Sequence, residues 1–280
     1  MLAAACSSTP QVSRLSRADS WASAKAPALV GAHPMPIGGY SAGCLNGGRS
    51  VQDGPGLLLM RTSRNRTYGH PVLVEFVQTI GKAAVDKGLG TILIGDLSQP
   101  RGGPMKSGHR SHQIGLDVDV WFRRLPPGKN GKPEPTLATF EREKLGSPSV
   151  IQDDHLHTEH WSASSGTLLE LFASRSEVDR IFVNPVIKRE LCIQLQQSGK
   201  KDWLRKIRPW WGHDSHFHVR LKCPAEAVLC RATEKIPAGD GCDESLNWWF
   251  SEEAAELANQ SEPAEPPILP NECESVLDQL

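Results

Sequence analysis

Apolar residues recur with two different periods along this chain, and the switches between them mark out its elements. From Pro71 onward, Val72, Leu73, Phe76, Val77, Ile80 and Ala84 return at helical spacing, with Pro71 suited to a first turn and Gly88 to a stop. Residues 166–178, through Leu168, Leu169, Phe172 and Ala173, and residues 185–199, through Ile187, Leu191 and Leu195, predict two further helices. Period two governs Leu116 to Phe122: Leu116, Val118, Val120 and Phe122 point one way, and Asp117, Asp119 and Trp121 the other. The same alternation turns Phe217, Val219 and Leu221 to one side and leaves His216 and His218 together on the opposite face. Short apolar runs at Leu57–Met60 and Thr91–Gly95, with Arg180–Asn184, complete the strand set. The expected class is α+β, a small central antiparallel sheet with flanking helices.

Between these elements the chain is loop-rich, with 21 prolines and 25 glycines supplying the turns. Residues 7–36 are rich in Ser, Ala and Pro without a sustained period, and 123–150, with PPGKNGKPEP, read as a surface excursion. The expected organisation is a signal remnant and extended lead-in over 1–37, then one domain over 38–280 whose tail, from about 224, needs stapling to stay in place. No internal repeat is evident.

Lys plus Arg number 31 against 32 Asp plus Glu, so charge gives no reason to expect nucleic acid or an anionic membrane surface as partner. No run of 18 apolar residues occurs, and no transmembrane segment is expected. The first residues, MLAAAC, look like the end of a signal sequence. Cys6 is either its remnant or a lipid-modified residue. The other six cysteines form no CxxC pair. Six scattered cysteines that include the close pair Cys223 and Cys230 point to three disulfides and an oxidising compartment such as the periplasm, against the alternative of buried free thiols.

Two segments hold five of the ten histidines: GHRSHQIGLDVDV at 108–120 and WWGHDSHFHVR at 210–220. A catalytic zinc needs three His, Asp or Glu ligands and an open position for water. His112 and Asp119 meet one ion if a turn near Gly115 folds the histidine back over the strand, and His218 on a neighbouring strand completes the three. His216, two residues earlier on the same face, is then the candidate general base. Five histidines near two strands are also compatible with a closed, non-catalytic zinc site. No HExxH helix is present.

SHQIGLDVD fits H-x2-G-x3-D and HFH fits H-x-H, and these resemble the zinc signature of the D-Ala-D-Ala and lysostaphin-like metallopeptidase superfamily. Within it the chain most resembles the penicillin-insensitive murein endopeptidases, with RNRTYGHP, GTILIGDLSQPRGG, RIFVNPVIK, DWLRKIRPWWGH, HFHVRLKCP and GDGC in the order of that family. The resemblance implies a periplasmic zinc endopeptidase that cuts D-alanyl–diaminopimelyl cross-links between peptidoglycan stem peptides. His112, Asp119 and His218 would be the zinc ligands and His216 the base or transition-state stabiliser. His109 and His213 would contact substrate or the developing oxyanion. A second metal in the family is held by the first histidine of GHxSH and a D-x-x-H pair; His109, Asp154 and His157 have that pattern here, within a histidine-rich stretch that otherwise departs from the family.

By the same resemblance the disulfides would be Cys44–Cys273, Cys192–Cys242 and Cys223–Cys230. Asp117 shares the face of Asp119 and suits a hydrogen-bonding role behind the ligands. Trp203, Trp210 and Trp211 read as core, with Trp211 the alternative for a groove wall. The rival functions are a D,D-carboxypeptidase or dipeptidase of the superfamily, and a non-catalytic wall-binding metal protein. Homo-oligomerisation is left open.

Overall fold

The computed structural model describes residues 14–128, 136–197, 201–259 and 266–279. Cys6 and residues 129–135 of the expected surface excursion lie outside this set. Six strands build the central sheet: β1 (Leu57–Leu59), β2 (Thr91–Ile94), β3 (Asp117–Leu125), β4 (Val178–Val183), β5 (Ile207–Pro209) and β6 (His216–Leu221). Their spatial order is β5-β4-β6-β3-β2-β1. Three helices flank it: α1 (Pro71–Asp86), α2 (Ala163–Ala173) and α3 (Pro185–Gln194). Each long helix expected from the apolar spacing is therefore present, α2 starting and ending a few residues early. Pro71 and Pro185 both occupy a first turn, behind His70 and Asn184, whose side chains accept from Val72 N–H and Val186 N–H.

The expectation of an antiparallel sheet holds for its centre, where β4, β6, β3 and β2 pair antiparallel. Both edges differ: β1 pairs parallel to β2, and β5 parallel to β4. The physical reason is the helix inside each connection. α1 lies between β1 and β2, and α3 between β4 and β5; a crossover of that length returns the chain parallel to the strand it left.

One face of the central strands is apolar. Val118, Val120, Phe122, Phe217, Val219 and Leu221 are buried there, against Phe76 of α1 and Phe172 of α2. The opposite face of the same strands carries Asp117, Asp119, His218 and Arg220, also buried. A period of two thus separates a packed core from a polar layer across one thickness of sheet.

The stretch expected as an extended lead-in carries more structure than its composition indicates. A short helix spans Ala18–Ala22, and Trp21 is fully buried with its Nε1 donating to Leu15 O. Trp21 joins Ala28, Ile37, Cys44, Leu269, Cys273, Val276 and Leu277 in a second, smaller core. The composition hid this because one tryptophan, with no periodic neighbours, does the packing. Gly103 lies flat against the indole: a Cβ there would come within 2.1 Å of the ring. The hairpin Met35–Gly39/Ala42–Asn46 and the tail helix Glu272–Asp278 close the rest of this core, joined through the Cys44–Cys273 disulfide. Cys192–Cys242 and Cys223–Cys230 are also bonded, so all three pairs match those the resemblance implies.

Because Trp21 fills the junction between lead-in, hairpin and tail, Trp21→Ala is expected to lower stability by about 3–5 kcal/mol, the cost of a large unfilled cavity. Urea unfolding of the variant checks this. A change below about 1 kcal/mol would show that the lead-in does not belong to the folded unit.

Candidate active site

Strand register brings the two histidine segments together. In the β3–β6 pair Asp117 lies opposite Arg220, Asp119 opposite His218 and Trp121 opposite His216. Residues two apart on each strand share a face, so acids and imidazoles interleave on a single surface. His112 arrives from the loop before β3. It adopts a left-handed backbone, φ 68°, and donates its N–H to Asp117 Oδ2 at 3.0 Å. Gly115, φ 71°, completes the turn pressed against Leu45 and the backbone of His70, where a Cβ would approach within 2.6 Å. The turn expected near Gly115 does fold His112 over the start of the strand.

His112 Nε2, His218 Nδ1 and Asp119 Oδ1 form a triangle with edges of 3.2, 3.2 and 3.4 Å. A tetrahedral ion with bonds of about 2.0–2.1 Å separates its ligand atoms by roughly 3.3 Å. All three side chains are buried, and Asp119 Oδ1 has no hydrogen-bond partner although two imidazole nitrogens face it. A buried carboxylate oxygen in that state calls for a cation. The donor set, two imidazoles and a carboxylate, suits a divalent transition metal. His109 extends it: ligand atoms of His109, His112 and Asp119 all lie within 4.8 Å of one another.

The electrostatics agree with this arrangement. Burial opposes the charge of Asp119, yet the imidazoles of His112 and His216 hold its carboxyl well below the usual range. Burial pushes His112 down to about 4. His218 goes the other way: burial opposes its charge, but Asp117 and Asp119 raise it to about 9. Asp117 sits behind the triangle. Its Oδ1 lies 3.1 Å from His218 Nε2 and accepts from Arg220 Nε at 2.8 Å. A carboxylate in that position fixes the orientation of the imidazole ring.

The expected catalytic residues ring the triangle. His216 Nε2 is 3.8 Å from Asp119 Oδ2. His213, φ 51°, donates from Nδ1 to Trp211 O at 2.9 Å, and burial, followed by the charges of His218 and His216, lowers it to about 4. His109 Nε2 meets Asp96 Oδ2 at 3.0 Å and lies 3.5 Å from Asp119 Oδ2. Asp96 in turn takes Arg66 at 2.8 Å and Arg64 at 3.1 Å; against its burial, His109 first and then Arg66 hold its carboxyl at about 2. Asp96, Arg66 and Arg220 were not singled out from sequence. Asp96 stands two residues past the apolar strand β2, after Gly95, and a carboxylate at the end of so apolar a run is the available signal.

Asp154 and His157 are not brought to His109. Among the described residues, His157 groups instead with Glu159 and His160, and no ligand cluster combines His109, Asp154 and His157. Two clefts open beside the triangle and share His109. The larger, about 510 Å³, has a wall of Phe182, Trp210, Trp211 and His213. The smaller, about 220 Å³, is lined by Arg61, Arg64, Trp121, Ser147, Ser215 and His216. The tail reinforces the aromatic wall: Trp248 and Trp249 pack on Trp211, with centroids 6.1 and 4.8 Å apart. Trp211 is therefore a cleft wall rather than core. The tail is held there by Cys192–Cys242 and by the fully buried Lys188, which donates to Leu204 O and Asp240 O.

The chain is 39% identical over 253 residues to the penicillin-insensitive murein endopeptidase of Klebsiella pneumoniae, covering 89% of this chain and 88% of the relative. It is 40% identical over 258 residues to those of Salmonella newport and Salmonella typhi, covering 88% of this chain and 89% of each relative. Residues 36–278, which span every element of the site, match the family as a whole, and the chain belongs to the penicillin-insensitive murein endopeptidase family.

Proposed function

We propose that this protein is a zinc-dependent endopeptidase of the periplasm that hydrolyses D-alanyl–diaminopimelyl cross-links between peptidoglycan stem peptides. The observation that carries the reading is the triangle of His112 Nε2, Asp119 Oδ1 and His218 Nδ1, with its orphaned carboxylate oxygen at the meeting of two clefts. The names of the relatives supply the substrate. Three disulfides favour an oxidising compartment.

His112, Asp119 and His218 would hold the zinc, with Asp117 fixing the ring of His218 from behind. Bound there, zinc supplies Lewis acidity, polarising the scissile carbonyl and making water a better nucleophile near neutral pH. His216, half-exposed on the rim, takes up the proton that attack releases and delivers it to the leaving amine. His213 stays neutral; with Nδ1–H committed to Trp211 O, its Nε2 is an acceptor that suits a substrate N–H. His109, fixed by Asp96, borders both clefts and contacts the peptide on either side. No side-chain nucleophile is required.

Purified cross-linked muropeptide dimers test the reaction. The expected product is monomers, abolished by chelation and restored by zinc. Intact dimers with shortened stems would instead establish the carboxypeptidase reading. His216→Ala should keep its metal content while kcat falls by roughly 10²–10⁴-fold, the usual contribution of a positioned acid–base group. Unchanged turnover would remove His216 from the chemistry. Asp117→Asn should weaken zinc about 10–100-fold in a competition titration with a chromophoric chelator. An unaltered affinity would show that His218 needs no orienting carboxylate.

A further inference from the structure

The smaller cleft contains a cation without a counterpart. Of its two arginines, Arg64 shares Asp96 with Arg66 and His109. The nearby Glu143 is taken up by Ser63, through its N–H at 3.1 Å and its hydroxyl at 2.6 Å. Arg61 has neither kind of partner. Among the described residues no carboxylate pairs with its guanidinium, and its Nε is buried with no acceptor. The guanidinium instead lies over Trp121, 5.6 Å from the ring centroid. The backbone is committed to this placement: Arg61 and Asn65 are both left-handed, φ 52° and 54°, and Arg64 N–H closes the turn on Arg61 O at 3.0 Å.

A partly desolvated guanidinium with an unmatched donor has the properties of an anion subsite. His109, Asp119 and His216 line the same cleft, so an anion bound there would sit within the substrate's reach of the reaction centre. The proposed substrate carries such a group. Each amino group of diaminopimelate stands on a carbon that also bears a carboxyl. In a cross-link, the carboxylate beside the scissile amide nitrogen remains free, whereas the alanyl side offers only a methyl group.

We propose that Arg61, stacked on Trp121, binds the carboxylate adjacent to the scissile amide nitrogen, and so sets both the preference for an acidic acceptor residue and the direction in which the cross-link lies. This rests on the murein reading above. It places the leaving-amine side in the small cleft and the D-alanyl side toward the aromatic wall. The terminal carboxylate of the acceptor stem is the competing source of an anion.

Three synthetic cross-linked dimers separate the sources: the free acid, the dimer amidated at the carboxyl beside the scissile bond, and the dimer amidated at the stem terminus. For the wild type, kcat/KM is expected to fall about 10–100-fold on the first amidation, the contribution of a hydrogen bond to a charged group, and to stay within about twofold on the second. Arg61→Gln should collapse the ratio of free acid to side-amidated dimer to about one, and Arg61→Lys should keep part of it. A ratio as large in Arg61→Gln as in the wild type overturns the proposal, as does a loss that follows the stem terminus. Equal losses on both dimers with the ratio preserved would mean a structural role, checked by metal content and thermal midpoint. If the wild type cleaves free-acid and side-amidated dimers equally, the carboxylate assignment falls alone. If it cleaves none of them, the murein reading falls and takes this inference with it.

Discussion

Two carboxylates buried in the middle of a sheet are the constraint on which the molecule depends. Asp117 is fully buried and Asp119 nearly so, and an ionised carboxylate so placed is strongly destabilising unless neighbours supply both charge and hydrogen bonds. Asp117 meets the demand within the protein, through Arg220, His218 and the His112 amide. Asp119 does so only in part, and its remaining lone pair is what makes the site a cation receptor. The β3–β6 register therefore has little freedom: a slip of β3 by one residue would turn both aspartates into the apolar core and Val118 into the site.

Arg220 transmits this constraint outward. Its guanidinium lies 4.1 Å from the ring of Tyr40 and 5.3 Å from that of Phe182, and Tyr40 donates to Leu221 O at 2.6 Å. Tyr40 sits at the turn of the hairpin whose second strand carries Cys44. The polar layer of the sheet and the Trp21 core are thus neighbours through one tyrosine. Changes in the lead-in or tail have a short packed route to the back of the His112, Asp119 and His218 triangle.

Local periodicity made the centre of the fold legible. The alternation in Leu116–Phe122 and in Phe217–Leu221 is enough to put Asp119 and His218 on one face, and Gly115 signals the turn that folds His112 back, though not its left-handed backbone. The parallel edges arise from helices visible in the pattern, but apolar periodicity alone carries no strand direction. Trp21 escaped because its partners come from residues far apart in sequence, which no period reveals. Asp96 and Arg61 escaped for a related reason. Each is a single charged residue next to an apolar strand, and its meaning appears only when a second segment, with His109 or Trp121, arrives opposite. The expected His109, Asp154 and His157 grouping rests on the family resemblance and the D-x-x-H spacing, and neither reveals that His157 turns to Glu159 and His160 instead.

The Cys44–Cys273 bond, with a sequence separation of 229 residues, makes most of this polypeptide a covalent ring. A protease that cuts once between those two cysteines opens the ring without releasing either piece, and every residue of the site lies inside it. The cut ends stay tethered at high effective concentration and can re-dock on the same strands. Durability against a first nick is thereby separated from durability against reduction.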